Sequence, residues 1–191
     1  MRTILVLLAV LLACGCASRP YRETAQSKFE GELEVRWVAN DYFLFLPNKD
    51  NPLRLLRPNG QKPIQPGPMY TDGGSIAQAL WGVQGLSPWG YAPAYVVHDW
   101  LFEARHCGYV SDNQYSFDES VTVIAEGLKA IMEHDPRVRN YFVFDAVVGA
   151  VGSPVAKKLW DTGKCKPPPQ IARILSGQEP PGELLGTISF K

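Results

Sequence analysis

The sequence predicts an α+β fold in which a small N-terminal antiparallel sheet, or set of hairpins, precedes a bundle of three to four helices. Two observations support this prediction. Between residues 31 and 70, short runs of alternating apolar and polar residues are separated by proline, asparagine and glycine, as in hairpins. After residue 88, apolar residues recur at helical spacing over longer stretches. Together these segments predict one globular domain over residues 31–165, which is long enough for a single core.

Three short strands are expected in the sheet. Leu33, Val35 and Trp37 alternate with charged residues, which is typical of a half-buried strand. Further strands are expected over 41–46 and 53–57, with turn residues between and after them. Residues 62–70 contain three prolines, so a strand there is expected to be short or to lie at an edge.

Four helices are expected after the sheet. The central one, expected to begin at Ser87-Pro88, includes the apolar stretch 91–106. The next starts at one of two capping-box patterns, 111–114 or 116–119, and runs to about residue 133. A third is expected over 137–151 and a short fourth from Ser153-Pro154 to Gly163. Residues 166–191 are proline-rich, which predicts an extended tail that packs little or wraps the surface.

The N-terminus is typical of an exported bacterial protein. Residues 1–13 contain Arg2 and an apolar run that is too short to span a bilayer, which predicts a signal peptide. The run ends on L-L-A-C, which resembles a bacterial lipobox and predicts a lipid on Cys14. Cys16 is a second acceptor, and cleavage near Ala17 without a lipid is the alternative. Residues 14–30 are polar and aperiodic, which predicts a tether.

Charge and cysteine content are compatible with a periplasmic location. The chain has 19 basic and 19 acidic residues, so no net field would steer it onto nucleic acid. No Asp follows either N-terminal cysteine, which favours an outer-membrane lipoprotein facing the periplasm, with an exported protein as the alternative. The lipid anchor makes the membrane a predicted partner, and the sequence does not specify protein partners. Cys107 and Cys165 are predicted to form a disulfide in that oxidising compartment, and two free thiols are the alternative.

The best functional clue is His98-Asp99, two titratable residues inside the apolar stretch 91–106. Burying such groups costs several kcal/mol unless they are paired. His98 and His106 are two helical turns apart, about 12 Å, so they cannot share one zinc ion. We therefore predict His98 as a general base, with Asp118 on the next helix as the carboxylate that orients it.

The loop before the central helix supplies further polar groups. Asp72, Gly73, Gly74 and Ser75 form a glycine-bearing loop, and Asp72 together with Asp99 would suit calcium, the only cofactor suggested by the sequence. Each residue also has a structural interpretation. His98-Asp99 would then be a satisfied core pair, Asp118 a first-turn acid favoured by the helix dipole, and Asp72 a turn residue.

Three motifs resemble the family called domain of unknown function 1353, which occurs in phages and bacteria. They are T-D-G-G-S-I at 71–76, V-V-H-D-W-L-F at 96–102 and F-D-E-S-V at 117–121. The family pattern is matched in order and spacing over about 53–160, with departures at residues 74, 77, 102 and 117. The resemblance implies a shared polar signature and no established activity. That signature comprises Asp72, Ser75, His98, Asp99 and Asp118.

The arrangement is also similar to that of calcium-dependent secreted phospholipases. By that similarity, His98 would activate water, Asp99 and the Gly73-Gly74 loop would bind calcium, and Asp118 would orient His98. The paired cysteines that precede His-Asp in those enzymes are Val96-Val97 here, so the similarity is one of arrangement only.

Two functions follow as hypotheses. The first is a lipid-anchored envelope hydrolase with His98 as its base, acting on a lipid ester or a cell-wall component. The second is a non-catalytic envelope or phage-derived module, in which the His-Asp cluster is a structural network and function lies in partner binding.

Overall fold

The computed structural model describes residues 18–39, 42–71, 90–109, 112, 114–165 and 174–190. Strands precede helices within these ranges, so the predicted α+β class is confirmed. The predicted signal peptide (1–13), Cys14, Cys16 and the loop residues Asp72, Gly73, Gly74 and Ser75 lie outside the described residues, as does Ser87-Pro88. The elements in chain order are α1 Arg19–Glu23, β1 Lys28–Ala39, β2 Tyr42–Pro47, β3 Arg54–Leu56, β4 Met69–Thr71, α2 Ala92–Cys107, α3 Phe117–His134, a 3-10 turn Pro136–Val138, α4 Tyr141–Val151, α5 Pro154–Thr162 and β5 Glu183–Phe190.

Strand β1 is the centre of the sheet. It pairs antiparallel with β2, β3 and β5, and β4 pairs with β2. Phe29 and Leu33 are buried on one face of β1, whereas the alternating residues Lys28, Glu30 and Glu32 carry charge. This period of two places the apolar face of the sheet against α3 and forms the core between the two layers.

The C-terminal segment completes the sheet. Residues 166–191 are predicted as an extended tail that packs little or wraps the surface. Within this range residues Glu183–Phe190 form strand β5, which is paired with β1 from Gly31↔Phe190 to Trp37↔Glu183. The ring of Phe190 stacks on Phe29 with centroids 5.1 Å apart. The tail prediction is therefore corrected for this segment, because β5 supplies hydrogen-bond partners to backbone groups of β1 that an edge would leave unpaired.

The domain also begins earlier than Gly31. Residues 14–30 were predicted as a tether, but α1 is docked on the helical layer and β1 starts at Lys28. The Tyr21 side chain is buried, and its hydroxyl donates to Glu133 Oε1 at 2.5 Å. Lys129 Nζ donates to the carbonyl oxygens of Tyr21 at 3.1 Å and Thr24 at 2.6 Å. The local signal for α1 was the Ser18 N-cap followed by Pro20.

The helices largely follow the predicted pattern, with shifted starts. Helix α2 begins at Ala92, later than the predicted Ser87-Pro88, with Pro93 in its first turn. Helix α3 uses the second of the two candidate capping boxes, in which Ser116 and Glu119 bond reciprocally. The predicted helix 137–151 is divided into the 3-10 turn and α4, because Asn140 caps a new helix.

The backbone of β1 at Gly31 packs too closely against a neighbouring segment to leave room for a side chain. The φ of Gly31 is +88°, and a Cβ there would lie 2.1 Å from the carbonyl oxygen of Pro52. We expect Gly31→Ala to lower the free energy of unfolding by more than about 2 kcal/mol, because left-handed backbone alone costs about 1–2 kcal/mol for other residues. Gly60→Ala is the matched control, with a φ of +71° and nothing within 4 Å, and should cost about 1 kcal/mol. Equal losses in urea unfolding would contradict the close contact.

Candidate functional site

His98 lies in the middle of α2 and is 5% exposed. Its Nδ1 is 3.4 Å from Asp99 Oδ1, and its ring lies 5.1 Å from that of Phe102. The other ring nitrogen, Nε2, is buried and has no hydrogen-bond partner among the described residues. When Nδ1 carries its proton toward the carboxylate, Nε2 presents a free lone pair, which is the acceptor that a general base requires.

Tyr95 lies one turn before His98 on the same side of α2 and is also 5% exposed. Its hydroxyl is the second buried polar atom of α2 with no hydrogen-bond partner in the described part of the chain. Burial raises the pKa of Tyr95 well above its usual range, and the nearby Tyr91 and Asp99 raise it further. The hydroxyl therefore stays protonated and can act as a hydrogen-bond donor.

These two atoms are chemically complementary. His98 Nε2 is an acceptor and Tyr95 Oη a donor, and an unpaired buried polar group costs about 1–3 kcal/mol. Native proteins leave few such groups, so two in adjacent turns of one helix call for an explanation. A bound group with one donor and one acceptor would satisfy both. The sequence analysis did not select Tyr95 as a site residue. The available signal was its position three residues before His98 and four before Asp99, which makes it a neighbour of both on a helix.

The structure does not bring Asp118 to His98. The Asp118 side chain is exposed in the first turn of α3 and forms no hydrogen bond with His98. The buried side of α3 includes Ser120, Val123 and Ile124, which lie opposite Asp118 at about 100° per residue. The carboxylate beside His98 is therefore that of Asp99 and not that of Asp118.

A second cluster of polar residues lies on the buried side of α3. Glu126 is buried, and its carboxylate accepts hydrogen bonds from Arg57 Nε at 2.8 Å, Arg57 Nη2 at 3.2 Å and Ser27 Oγ at 3.2 Å. The Tyr115 ring lies 5.9 Å from the Arg57 guanidinium. Each of these polar groups has a partner, so the cluster is a paired ionic contact between α3 and the residue that follows β3.

A metal site is not assembled by the described residues. The carboxylate of Asp99 is 21% exposed, and its predicted calcium partner Asp72 lies outside the described ranges, so calcium remains a prediction. In the described part of the chain, three residues with metal-ligating side chains come together only at Glu103, Cys107 and Cys165. The two cysteines form the predicted disulfide, with Cα atoms 4.6 Å apart, so neither sulfur is a thiolate ligand there.

A cleft of about 370 Å³ lies elsewhere, between the start of β1 and the end of α3. Its lining includes Ser27, Phe29, Glu133, His134 and Phe190, and no residue of α2 lines it. The candidate site at His98 is therefore separate from this cleft.

Comparison of the chain with family models, curated proteins and solved structures finds no match. The resemblance to domain of unknown function 1353 consequently stays a prediction from the quoted motifs. Across the described ranges, no helix has the length and apolar content needed to cross a bilayer.

Proposed function

We propose that the protein is a lipid-anchored envelope hydrolase in which His98 is the general base. The observation that supports this most is the buried Nε2 of His98, unpaired among the described residues, on a ring whose Nδ1 faces Asp99. The export signal and the lipobox at Cys14, or at Cys16, motivate the envelope location. The resemblance to domain of unknown function 1353 includes His98 and Asp99 in its signature but implies no reaction.

The proposed chemistry is hydrolysis of an ester in a lipid or a cell-wall component. His98 Nε2 takes a proton from water while the water oxygen attacks the carbonyl carbon. Tyr95 donates a hydrogen bond to the oxyanion that forms. When the carbon–oxygen bond breaks, the imidazolium of His98 returns the proton to the leaving alcohol. Asp99 orients the ring. If calcium takes part, Asp72 and Asp99 would be the residues to hold it, and it would supply positive charge to polarise the ester carbonyl.

The test is a hydrolase panel of lipid esters and cell-wall fragments, run on the full chain with calcium and with a chelator. We expect turnover by the natural sequence and a loss of at least a hundredfold in His98→Ala, because general-base catalysis contributes about 10²–10⁴. The thermal midpoint of the variant is measured in parallel. Turnover that survives His98→Ala in a folded protein would reject the proposal.

Substitution of Tyr95 is expected to change catalysis without lowering stability. We expect Tyr95→Phe to lower kcat by at least tenfold, since an oxyanion donor is lost, and to leave the free energy of unfolding equal or about 1 kcal/mol higher. Tyr91→Phe is the matched control on the same helix, because the Tyr91 hydroxyl donates to the Val138 carbonyl at 2.5 Å. It should cost about 1 kcal/mol and keep kcat. A Tyr95→Phe protein that loses stability and keeps its activity would contradict the assignment.

A second candidate is the non-catalytic envelope module. It is favoured by the low exposure of His98 and by the position of the described cleft away from α2. Under this alternative the panel detects no turnover, and His98→Ala chiefly lowers the melting temperature. The same two measurements therefore distinguish the candidates.

A further inference from the structure

The distance between the predicted anchor and the folded domain is short. Only residues 15–18 separate Cys14 from α1, and α1 begins at Arg19. A fully extended chain spans at most about 3.6 Å per residue, so Cys14 and Arg19 are at most about 18 Å apart. With Cys16 as the lipidated residue the limit is about 11 Å. A lipid on either cysteine therefore holds α1 close to the bilayer surface.

Helix α1 is fixed on the domain and cannot act as a flexible spacer. The Tyr21 ring packs against Tyr141 and Phe144, with centroids 4.8 and 5.0 Å apart. Its hydroxyl bonds to Glu133, whose other oxygen accepts from Arg139 at 2.7 Å. Because the segment between the anchor and α1 is short and α1 is fixed on the domain, the anchor restricts which side of the domain can face the membrane.

The surface beside α1 carries exposed apolar side chains. Phe142, which follows Tyr141 on α4, is 67% exposed, and Val138 in the 3-10 turn is 38% exposed. Phe142 directly follows Tyr141, whose ring contacts Tyr21 of α1. Val138 directly precedes Arg139, whose guanidinium pairs with the Glu133 carboxylate that accepts from Tyr21. Insertion of such an exposed aromatic ring among lipid headgroups would remove its apolar surface from water, which is favourable.

The charges beside these residues suit an anionic surface. Arg19 pairs with Glu23 and Arg137 with Asp135, and the guanidinium-bearing side chains are 81% and 88% exposed, more than their partners at 62% and 29%. The positive ends of both pairs are thus outermost, where phosphates can reach them. The exposed Asp145, one turn beyond Phe142, sets the limit of the surface, because a carboxylate is repelled by phosphate.

We propose that this surface, defined by Arg19, Arg137, Val138 and Phe142 and here called the membrane face, docks on the anionic phospholipid bilayer that holds the anchor. The inference rests on the lipid anchor of the proposed function. It adds an orientation, in which α1 and the start of α4 lie on the headgroups. The lipid places the protein at the membrane, and the membrane face sets the tilt of the domain.

The experiment is hydrogen exchange of the full processed chain, in vesicles of phosphatidylethanolamine and phosphatidylglycerol and in detergent. We expect at least fivefold slower exchange in vesicles for amides of residues 19–24 and 136–143, with no change at residues 183–186, the end of β5 that pairs with Val35–Trp37. Phe142→Asp should remove this protection. Leu185→Asp, at a similarly exposed position on β5 (57%), should leave it intact. Substitutions at exposed positions of this kind change stability little, so both variants should fold.

Metabolic labelling with palmitate distinguishes the two ways in which the inference can fail. Without label on the natural sequence, or with label that survives Cys14→Ser/Cys16→Ser, the anchor is wrong and the inference fails with it. A labelled protein that exchanges equally in vesicles and detergent, or is protected at residues 183–186, overturns the membrane face and leaves the anchor standing.

Discussion

Replacing Glu126 with glutamine is expected to lower the free energy of unfolding by about 3–5 kcal/mol, because it leaves the buried Arg57 guanidinium without its counter-charge. The two side chains are only 5% and 2% exposed and form two hydrogen bonds, at 2.8 and 3.2 Å. Glutamine keeps the volume and one acceptor, so the loss reports charge and not a cavity. Typical domains are stable by about 5–15 kcal/mol, and the variant would therefore be near its unfolding threshold.

Two further variants control for this prediction. Asp161→Asn breaks the surface ion pair between Asp161 and Lys157, in which both side chains are about half exposed. It should lower the free energy of unfolding by no more than about 0.5 kcal/mol. The double variant Arg57→Met/Glu126→Leu removes both charges and should be more stable than Glu126→Gln. Urea unfolding monitored by tryptophan fluorescence measures all three. If Glu126→Gln and Asp161→Asn cost the same, Glu126 does not compensate a buried charge.

Loss of the disulfide is expected to cost about 4 kcal/mol. Cys107 and Cys165 are 58 residues apart in the chain, and the chain-entropy treatment gives about this value for a loop of that length. The bridge joins the end of α2 to the segment after α5, so it limits the unfolded chain across α3, α4 and α5. Most of its effect is therefore expected in the unfolded state, and the folded core should be unchanged.

Local packing explains why the reduced protein should keep its shape. Trp160 of α5 is buried, its ring is 4.8 Å from that of Phe102, and its carbonyl oxygen lies 3.2 Å from His106 Nε2. Cys107→Ser/Cys165→Ser, unfolded with and without reductant, measures the effect, and reductant should alter only the natural sequence. A reduced protein in which α5 alone loses its exchange protection would show that the disulfide maintains local docking.

Helix boundaries with a local chemical cause were the most predictable features. The capping box at Ser116 and Glu119 and the Ser153 cap before Pro154 each involve residues within four positions of one another. The start of α1 has the same kind of signal at Ser18, but its short length and polar surroundings resembled a tether. What identifies α1 as part of the domain is Tyr21, whose partners Glu133 and Phe144 are more than a hundred residues away.

The candidate site was predictable in position and less so in its members. His98-Asp99 stands out because two titratable residues interrupt an apolar stretch, and the structure buries His98 as expected. The choice between Asp118 and Asp99 as its neighbour depended on the rotation of α3. The structure buries Ser120, Val123 and Ile124 and leaves Asp118 exposed, and this rotation depends on how α3 packs against α2 and β1.

The sequence by itself determined the α+β class, the helix caps at Ser116 and Ser153 and the anomaly at His98-Asp99, because each depends on neighbouring residues and on the strand or helix period. Only the tertiary structure decided that β5 joins β1, that α1 belongs to the domain, that Asp118 faces solvent and that Tyr95 lies unpaired beside His98 among the described residues. These features depend on which distant surfaces meet, and burial and hydrogen bonding between distant residues have no short-range signature in a single chain.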